Sequence, residues 1–449
     1  MNQELNIIGS GLTGPLLATL LAKKHNCNIN MYERSFDSRI SNKFSGRSIN
    51  LALSRRGIHA LKMAGVYDEN FESQLIPMYG RAIHDLNGEQ SIQLYGNKKE
   101  HFINSVSRST INQILIDAAE KTKKVKINFN MKCSKVKFDT QEMSFENKII
   151  KTNAPIIGAD GYKSVVSSAI VECNNQKLDY VDVEHSYKEL TIKSKNNEFQ
   201  LEPNYLHIWP RRDLMIIALP NTDKSFTCTL FMKTSGENSF DSICNTSDLH
   251  EFFEENFNDL IPLIDDLDKV FFDNPTGKLV GLKVPKWCFE DKALIIGDAA
   301  HATVPFYGQG MNAAFEDCCI LSDIINNENN LNWNEIFEKF SLKRKEDADA
   351  ILALSLLNYK VMRNDVLDEK FISKQKLSFI LNDRFPDQFI PVYTMVSFTR
   401  IPYSIALKRA KIQDSILDEL LKDLKSINNY DKIKSEELIN KHLSKINYE

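Results

Sequence analysis

The chain has 449 residues, enough for two or three domains with a substantial buried core. Its formal net charge of −4 is unlike the concentrated positive charge of nucleic-acid-binding proteins, so we expect no nucleic-acid partner. Its eight cysteines have no zinc-ligand spacing, and no apolar run approaches the roughly 18 residues of a membrane span. We therefore expect no metal site, no membrane anchor and a soluble protein in the reducing cytoplasm.

The chain begins with the pattern of a βαβ unit. A strand pattern at residues 5–8 leads through a glycine turn into a helical pattern at 15–24, and a second strand pattern follows at 27–32. Glu33 ends that second strand, where an acid can accept hydrogen bonds from a ribose. The turn carries GxGxxG, whose backbone can approach a pyrophosphate at a helix N-terminus. The motif residues are Gly9, Gly11 and Gly14. The unit predicts a dinucleotide site, which FAD and NAD(P) could both occupy.

The middle of the chain changes to a β pattern. Near Pro77 the helical stretch ends, and alternating segments with hairpin glycines at Gly88 and Gly96 follow. A helical pattern returns at residues 107–121. Residues 180–272 are rich in alternating runs, which predicts a mostly antiparallel sheet separate from the βαβ unit.

Two aspartates come at the ends of apolar strand patterns that lie far apart in the sequence. Asp160 stands in "GADG" and Asp298 in "GDAAH", which leads into "PFYGQGMN". A single aspartate in such a place is commonly a helix cap. Capping alone does not readily explain two such strand ends, so both aspartates are candidates for cofactor binding.

Helical patterns dominate after residue 293. In the tail, a set of aliphatic residues is predicted to share one helical face, with charged residues on the other. They are Ile416, Leu417, Leu420, Leu421, Leu424 and Ile427. The mixed charge of the polar face favours a packed surface helix over a membrane-surface helix.

The motifs GxGxxG, DG and GD with PxxGQGMN, in this order, resemble those of the single-component flavin-dependent aromatic hydroxylases. The longest similar runs resemble the members of that family that hydroxylate L-kynurenine. These runs lie at residues 46–62, 202–212, 225–232, 297–318 and 391–403. The resemblance implies a bound FAD, NADPH as a transient co-substrate, and O2, which reacts through a flavin hydroperoxide to give 3-hydroxy-L-kynurenine.

The resemblance also implies a fold and a domain division. The fold class is α/β, with a Rossmann-like FAD-binding domain, an inserted, mostly antiparallel substrate domain and a C-terminal helical region. The expected FAD-binding domain comprises residues 1–75, 97–175 and 275–340. The expected substrate domain comprises 76–96 and 176–274, and the helical region comprises 341–449.

Site residues follow from the same resemblance, and none is assigned as a catalytic acid or base. Arg81 is expected to bind the substrate carboxylate, because its planar donors pair with both oxygens. The expected substrate-binding residues are Arg81, Tyr95, Asn358, Tyr393, Pro305 and Phe306. The expected cofactor-binding residues are Gly9, Gly11, Thr13, Gly14, Tyr32, Glu33, Arg34, Ser35, Ala52, Arg108, Cys133, Asp160, Val165, Asp298, Gly310, Met311 and Asn312. His301 is expected to support the turn around it.

Two positions depart from the family pattern. Val361 stands where the family usually has an acid, and Ser167 stands where it usually has an arginine. Two alternatives remain open on the residues alone. One is a flavin hydroxylase that acts on a phenol or an anthranilate-like acid, and the other is an NAD-dependent dehydrogenase or a protein that only binds a nucleotide.

Overall fold

The computed structural model describes residues 3–40, 50–328, 331–422 and 427–447. The first four residues of the similar run at 46–62 lie outside these ranges, and so does Leu424. Among the described residues, no helix combines the length and the apolar character that crossing a bilayer requires.

The strands, in chain order, are β1 (Glu4–Ile8), β2 (Asn28–Tyr32), β3 (Asn50–Leu53), β4 (Ile76–Met78), β5 (Gly80–His84), β6 (Gln90–Leu94), β7 (Ile103–Ser107), β8 (Val125–Asn128), β9 (Cys133–Lys137), β10 (Glu142–Phe145), β11 (Lys148–Lys151), β12 (Ile156–Gly158), β13 (Asp179–Val181), β14 (His185–Ile192), β15 (Tyr205–Arg211), β16 (Leu214–Pro220), β17 (Phe226–Lys233), β18 (Gly277–Lys278), β19 (Gly281–Lys283), β20 (Cys288–Phe289) and β21 (Ala293–Ile295).

The helices are α1 (Thr13–His25), α2 (Arg55–Met63), α3 (Glu69–Glu72), α4 (Arg108–Lys121), α5 (Val165–Cys173), α6 (Thr246–Asn256), α7 (Leu267–Asp273), α8 (Asp298–His301), α9 (Gly310–Asn326), α10 (Trp333–Asn364), α11 (Glu369–Arg384), α12 (Val392–Ser397), α13 (Tyr403–Leu421) and α14 (Lys432–His442).

The chain divides into two compact units. The first unit consists of Met1–Leu75, Val106–Val183 and Val280–Leu352. The second unit consists of Ile76–Ser105, Glu184–Leu279 and Ala353–Glu449. The predicted division into two domains and a C-terminal helical region, with its own boundaries, stays a prediction.

A mainly parallel sheet organises the first unit, with the strand order β20-β21-β12-β1-β2-β8. The strand β20 is antiparallel to β21, and the other neighbours are parallel. Four of the five residues of β1 are buried, as expected for a parallel strand covered on both faces. Helices α1, α4, α5 and α9 supply side chains to the same hydrophobic core.

A seven-stranded sheet organises the second unit, with the order β18-β14-β17-β16-β15-β5-β6. Its neighbours are antiparallel, as predicted for this block, with the exception of the parallel pair β15 and β5. The predicted hairpin is formed by β5 and β6, and Gly88 has a φ of 81° in the connecting turn. Phenylalanines of α6 and α7 pack with the buried side chains of β16 and β17.

The C-terminal helices of the second unit have their own hydrophobic cluster. Ile416, Leu417 and Leu420 of α13 pack in it with Leu377 and Leu381 of α11. The helix α13 ends at Leu421, and a 3₁₀ turn covers Ile427–Asn429. The predicted apolar face is therefore helical through Leu421, and Ile427 reaches the same cluster from a separate turn.

Candidate active site

Four candidate cofactor segments meet at one edge of the parallel sheet. Because parallel strands β1, β2, β12 and β21 end side by side, the residues that follow them lie along that edge. The paired strand ends are Ile8 with Tyr32, Ile8 with Gly158, and Gly158 with Ile295. The order along the edge is therefore the turn before Asp298, then Asp160, then the glycine turn, then Glu33. With about 4.8 Å between strands, this row extends over about 14 Å, which suits an extended dinucleotide.

The three glycines of the first turn are needed for different structural reasons. A Cβ on Gly9 would lie 2.4 Å from the Ala159 carbonyl oxygen, and the residue has a φ of 104°. A Cβ on Gly14 would lie 2.1 Å from the Gly9 carbonyl oxygen. Both glycines are required by the packing of the chain itself. A Cβ on Gly11 would meet nothing within 4 Å, so this glycine leaves room for a ligand.

Glu33 closes the other end of the row. One carboxylate oxygen accepts a hydrogen bond of 2.7 Å from the Ser10 N–H, and the other accepts one of 2.8 Å from the Ser35 N–H. These bonds fix the carboxylate beside the glycine turn. A carboxylate oxygen has more than one acceptor lone pair, so Glu33 keeps capacity for ribose hydroxyls.

Asp160 lies behind the glycine turn, and one of its oxygens accepts a hydrogen bond of 2.8 Å from the Val165 N–H at the start of α5. Its Oδ1 is buried and has no hydrogen-bond partner among the described residues. Burial raises the pKa of the Asp160 carboxyl, although hydrogen bonds from Ser164 and the start of α5 oppose that effect. The N-cap residue of α5 is Ser164, so Asp160 supports the start of this helix only through its bond from Val165. The second oxygen of Asp160 is left for another partner.

Asp298 is the first residue of the four-residue helix α8. The preceding Gly297 has a φ of 60°, and a Cβ there would lie 2.9 Å from the Thr13 Oγ1. Asp298 is exposed, whereas Ala299, Ala300 and His301 are buried. The exposed carboxylate of Asp298 is thus supported by buried neighbours. It lies at the opposite end of the row of cofactor segments from Glu33.

The start of α9 offers backbone donors. The first intrahelical bond is donated by the Ala313 N–H to the Gln309 carbonyl, so the N–H groups of residues 310–312 precede it. The Asn312 side chain is fully buried and donates 2.8 Å hydrogen bonds to the carbonyls of Ala52 and Gly308. Its Oδ1 accepts from the Ser54 N–H at 2.9 Å. Asn312 therefore uses its side chain to hold the loop, and only its backbone remains for a cofactor.

The other predicted cofactor residues lie in the same unit. Thr13 begins α1, and Tyr32 ends β2 with its ring 4.9 Å from that of Phe145. Arg34 and Arg108 are exposed, and Ser107 caps α4. The remaining predicted positions are Ser35, Ala52, Cys133, Val165, Gly310 and Met311, which lie on or beside β2, β3, β9, α5 and α9. The cofactor role of each residue stays a prediction.

A buried arginine between two tyrosines is the main feature of the second unit. Arg81 of β5 is 6% exposed, and no carboxylate of the described chain lies within 4 Å of its guanidinium. Its Cζ lies 5.9 Å from the Tyr95 ring centre and 5.3 Å from that of Tyr393. The two rings stack at 4.7 Å with 10° between their planes. We call Arg81, Tyr95 and Tyr393 the aromatic clamp.

Burial keeps the two phenols of the aromatic clamp uncharged. Burial raises the pKa of Tyr95 well above its usual value, and the neighbouring Tyr393 raises it further. Burial also raises the pKa of Tyr393, against the opposing effect of Arg81. Both phenols are therefore neutral at physiological pH, so the buried guanidinium has no compensating anion in the clamp. Such a buried cation is suited to an anionic ligand group.

The remaining predicted substrate residues are Asn358, Pro305 and Phe306. Asn358 lies on α10, where its Nδ2 contacts the Met362 sulfur at 3.4 Å. Pro305 and Phe306 belong to the first unit, where Pro305 is exposed and Phe306 is buried. Val361 is partly buried on α10, and nothing in the structure explains why it replaces an acid.

Ser167 has a clear structural role. Its Oγ is buried in α5 and donates a 2.6 Å hydrogen bond to the Ala299 carbonyl of α8. The sequence analysis also missed Asp317, which accepts hydrogen bonds from Gly297 and His301. The signal for Asp317 was present, since "FED" interrupts an otherwise apolar run in α9.

The comparisons with known proteins agree with this geometry. Residues 3–353 match a family model described as "FAD binding domain". A kynurenine 3-monooxygenase of Cytophaga hutchinsonii is 43% identical over 427 residues, which cover 94% of each chain. The kynurenine 3-monooxygenase of Dictyostelium discoideum is 38% identical and covers 99% of each chain.

Solved structures of two oxygenases share the fold. A 2-methyl-3-hydroxypyridine-5-carboxylic acid oxygenase superposes with a TM-score of 0.65 at 18% identity, covering 85% of this chain and 98% of its own. A probable FAD-dependent monooxygenase of Pseudomonas aeruginosa gives 0.63 at 14% identity, covering 81% and 97%. The predicted α/β fold class with a Rossmann-like FAD-binding part is thereby confirmed.

Proposed function

Because the chain belongs to the kynurenine 3-monooxygenase family and is an FAD-dependent monooxygenase, we propose that it hydroxylates L-kynurenine to 3-hydroxy-L-kynurenine. In the balanced reaction, L-kynurenine, O2, NADPH and one proton give the hydroxylated product, NADP⁺ and water. The relatives named above carry this activity in their names.

The observation that carries the substrate proposal is the uncompensated guanidinium of Arg81. L-kynurenine has a carboxylate at one end and an aniline ring at the other. Arg81 would bind that carboxylate through two parallel hydrogen bonds, which also fix the direction of the amino acid. The stacked rings of Tyr95 and Tyr393 restrict the rotamers of the arginine, so little conformational entropy is lost on binding.

The cofactor proposal assigns a part of FAD to each segment of the first unit. Glu33 would bind the adenosine ribose, the backbone around Gly11 the pyrophosphate, and Asp298 the ribityl chain. The N–H groups at the start of α9 would face the flavin ring, where the helix N-terminus favours negative charge. Bound FAD supplies the redox chemistry that connects NADPH, O2 and the substrate ring.

The residues of the chain would contribute placement and the exclusion of water. The amino group of the substrate already donates electron density to the neighbouring ring carbon, so no strong protein base is needed. Arg81 would hold the substrate in one orientation through its carboxylate. Water must be excluded because a wet site releases peroxide instead of transferring oxygen.

We further propose that the protein works in the cytoplasm. All eight cysteines are free thiols, which supports a reducing compartment.

The test is an assay of NADPH oxidation by purified, FAD-loaded protein with and without L-kynurenine, with the products identified by mass spectrometry. We expect the substrate to stimulate oxidation and to gain 16 mass units, because one oxygen atom is added. Stimulated oxidation that yields only peroxide would make the compound an effector. A colourless protein that takes up no FAD would favour the dehydrogenase or nucleotide-binding alternative. Hydroxylation of anthranilate-like acids or phenols instead would identify the other alternative.

A further inference from the structure

A buried network of charged side chains lies behind the turn that carries Asp298. Glu316 and Asp317 are neighbours on α9, in a stretch of otherwise mostly apolar buried residues. Glu316 pairs with Arg56 of α2 at 2.5 Å and with Arg344 of α10 at 3.2 Å. Arg344 also pairs with Asp317 at 2.7 Å. Buried charges of this kind persist only when each has close partners.

Asp317 differs from Glu316 because it also contacts α8. Its Oδ2 accepts hydrogen bonds from the His301 Nε2 at 2.6 Å and from the Gly297 N–H at 3.2 Å. Gly297 immediately precedes α8 and His301 is its last residue, so one carboxylate oxygen binds both ends of this helix. Its other oxygen accepts from the Arg344 Nε. The hydrogen bonds of Asp317 therefore fix the position of α8 relative to α9 and α10.

The carboxylate remains charged although it is fully buried. Burial tends to raise the pKa of Asp317, but the charges of His301 and Arg344 hold that pKa below its usual value. The His301 ring is held on its other side by the Trp287 ring, whose centre lies 5.2 Å away. Ser167 provides a second attachment through its hydrogen bond to the Ala299 carbonyl. A four-residue helix has too few internal hydrogen bonds to hold its own geometry.

We propose that Asp317 is a positioning residue for FAD, which holds α8 so that Asp298 points toward the ribityl chain. The proposal rests on the function proposed above for Asp298. Asp317 is itself 0% exposed and acts through Gly297 and His301. Its removal would let α8 move, and the carboxylate of Asp298 would then lose its fixed direction.

The test compares Asp317→Asn with Glu316→Gln. Both variants remove one buried negative charge from the same helix and from the same arginine, but only Asp317 is hydrogen-bonded to α8. The dissociation constant of FAD is measured on the apoprotein by flavin fluorescence, together with the absorption spectrum and the midpoint potential of the bound flavin. We expect at least tenfold weaker FAD binding and a shifted spectrum for Asp317→Asn, and less than a threefold change for Glu316→Gln. Equal effects of the two variants, or unchanged FAD binding by Asp317→Asn, would overturn the proposal.

A second pair of variants decides the question if Asp317→Asn does not fold. In His301→Gln the side-chain amide can still donate to Asp317, whereas in His301→Ala it cannot. We expect FAD binding within threefold of the wild type for the glutamine variant and about tenfold weaker binding for the alanine variant. Equal affinities would contradict the proposed role. These measurements need no substrate, so FAD binding without ring hydroxylation would count against the substrate proposal alone.

Discussion

Single residues of the aromatic clamp carry the proposed substrate recognition. Arg81 is buried beside two neutral phenols, and in the described chain no carboxylate neutralises it. A residue of this kind is costly for the empty protein, because a buried cation without a counter-ion is poorly solvated. An anionic ligand that binds to Arg81 would offset this cost. A substitution at Arg81 therefore tests the proposed recognition of the carboxylate.

Replacing Arg81 by Met keeps the apolar stem and removes the charge. The loss of charge-assisted hydrogen bonds costs about 1.5–3 kcal/mol, so we expect KM for L-kynurenine to rise about 10- to 100-fold. The steady-state kinetics of the hydroxylation reaction measure it. Arg384→Met is the matched control, since Arg384 also lies over an aromatic ring, at 5.0 Å from that of Phe385, but is paired with Glu436. A normal KM in Arg81→Met would exclude the carboxylate role.

At the scale of elements, the strand-turn-helix at the N-terminus combines packing and binding requirements in three glycines. Gly9 and Gly14 are fixed by contacts within the chain, whereas Gly11 faces open space. Adding a methyl group at each glycine therefore distinguishes the requirement for packing from the requirement for cofactor binding.

Gly11→Ala is expected to leave the folded apoprotein almost unchanged and to weaken FAD binding by about tenfold or more, because the methyl group occupies the approach of the pyrophosphate. Thermal unfolding of the apoprotein and fluorescence titration with FAD measure the two effects. Gly14→Ala is the comparison, and it should lower the stability of the apoprotein, since its Cβ would overlap the Gly9 carbonyl oxygen. Unaltered FAD affinity in Gly11→Ala would contradict the assignment of this turn.

The elements also show which parts of the structure the sequence could predict. The βαβ unit and the row from Asp298 to Glu33 follow from local patterns, because the ends of parallel strands must meet at one edge. The parallel pairing of β5 with β15 had no local signal, since it joins segments separated by a long stretch of chain. The stacking of Tyr95 on Tyr393 and the bonds of Asp317 likewise depend on tertiary packing. The resemblance to a family identified the three residues of the aromatic clamp. The hydrophobic periodicity of the sequence could not predict the distances between their side chains.

At the scale of the whole molecule, the response to acid reflects buried histidines. His207 of β15 is fully buried, and its ring lies 2.8 Å from a ring nitrogen of His84 on β5. Burial lowers the pKa of His207 to about 4, and the neighbouring His84 contributes to that shift. The unfolded chain would bind a proton at this histidine near pH 6.5.

The contribution of His207 to the stability of the protein should therefore fall as the pH decreases from about 6.5 to 4 and level off below, because only the unfolded chain takes up this proton in that interval. For His207 alone the loss amounts to about 3 kcal/mol. Urea unfolding of the apoprotein at pH 7, 6 and 5 measures it. Burial also lowers the pKa values of His25, His101 and His185, so the His207→Gln variant should lose only the share of this pH dependence that belongs to His207. The variant His250→Gln, at an exposed histidine, should retain the full dependence. Identical slopes in all three proteins would disprove the assignment.

The order of the strands in the parallel sheet has a consequence for synthesis on the ribosome. The strand β12 lies between β1 and β21, and 134 residues separate Gly158 from Ala293. At about 5–20 residues per second, the nascent chain carries the apolar edge of β12 without its neighbour for about 7 to 30 s. During that interval the parallel sheet is incomplete, and the unpaired backbone groups of β12 can bind chaperones or pair with other nascent chains. We therefore expect the yield of folded protein to depend on the rate of synthesis through residues 159–292.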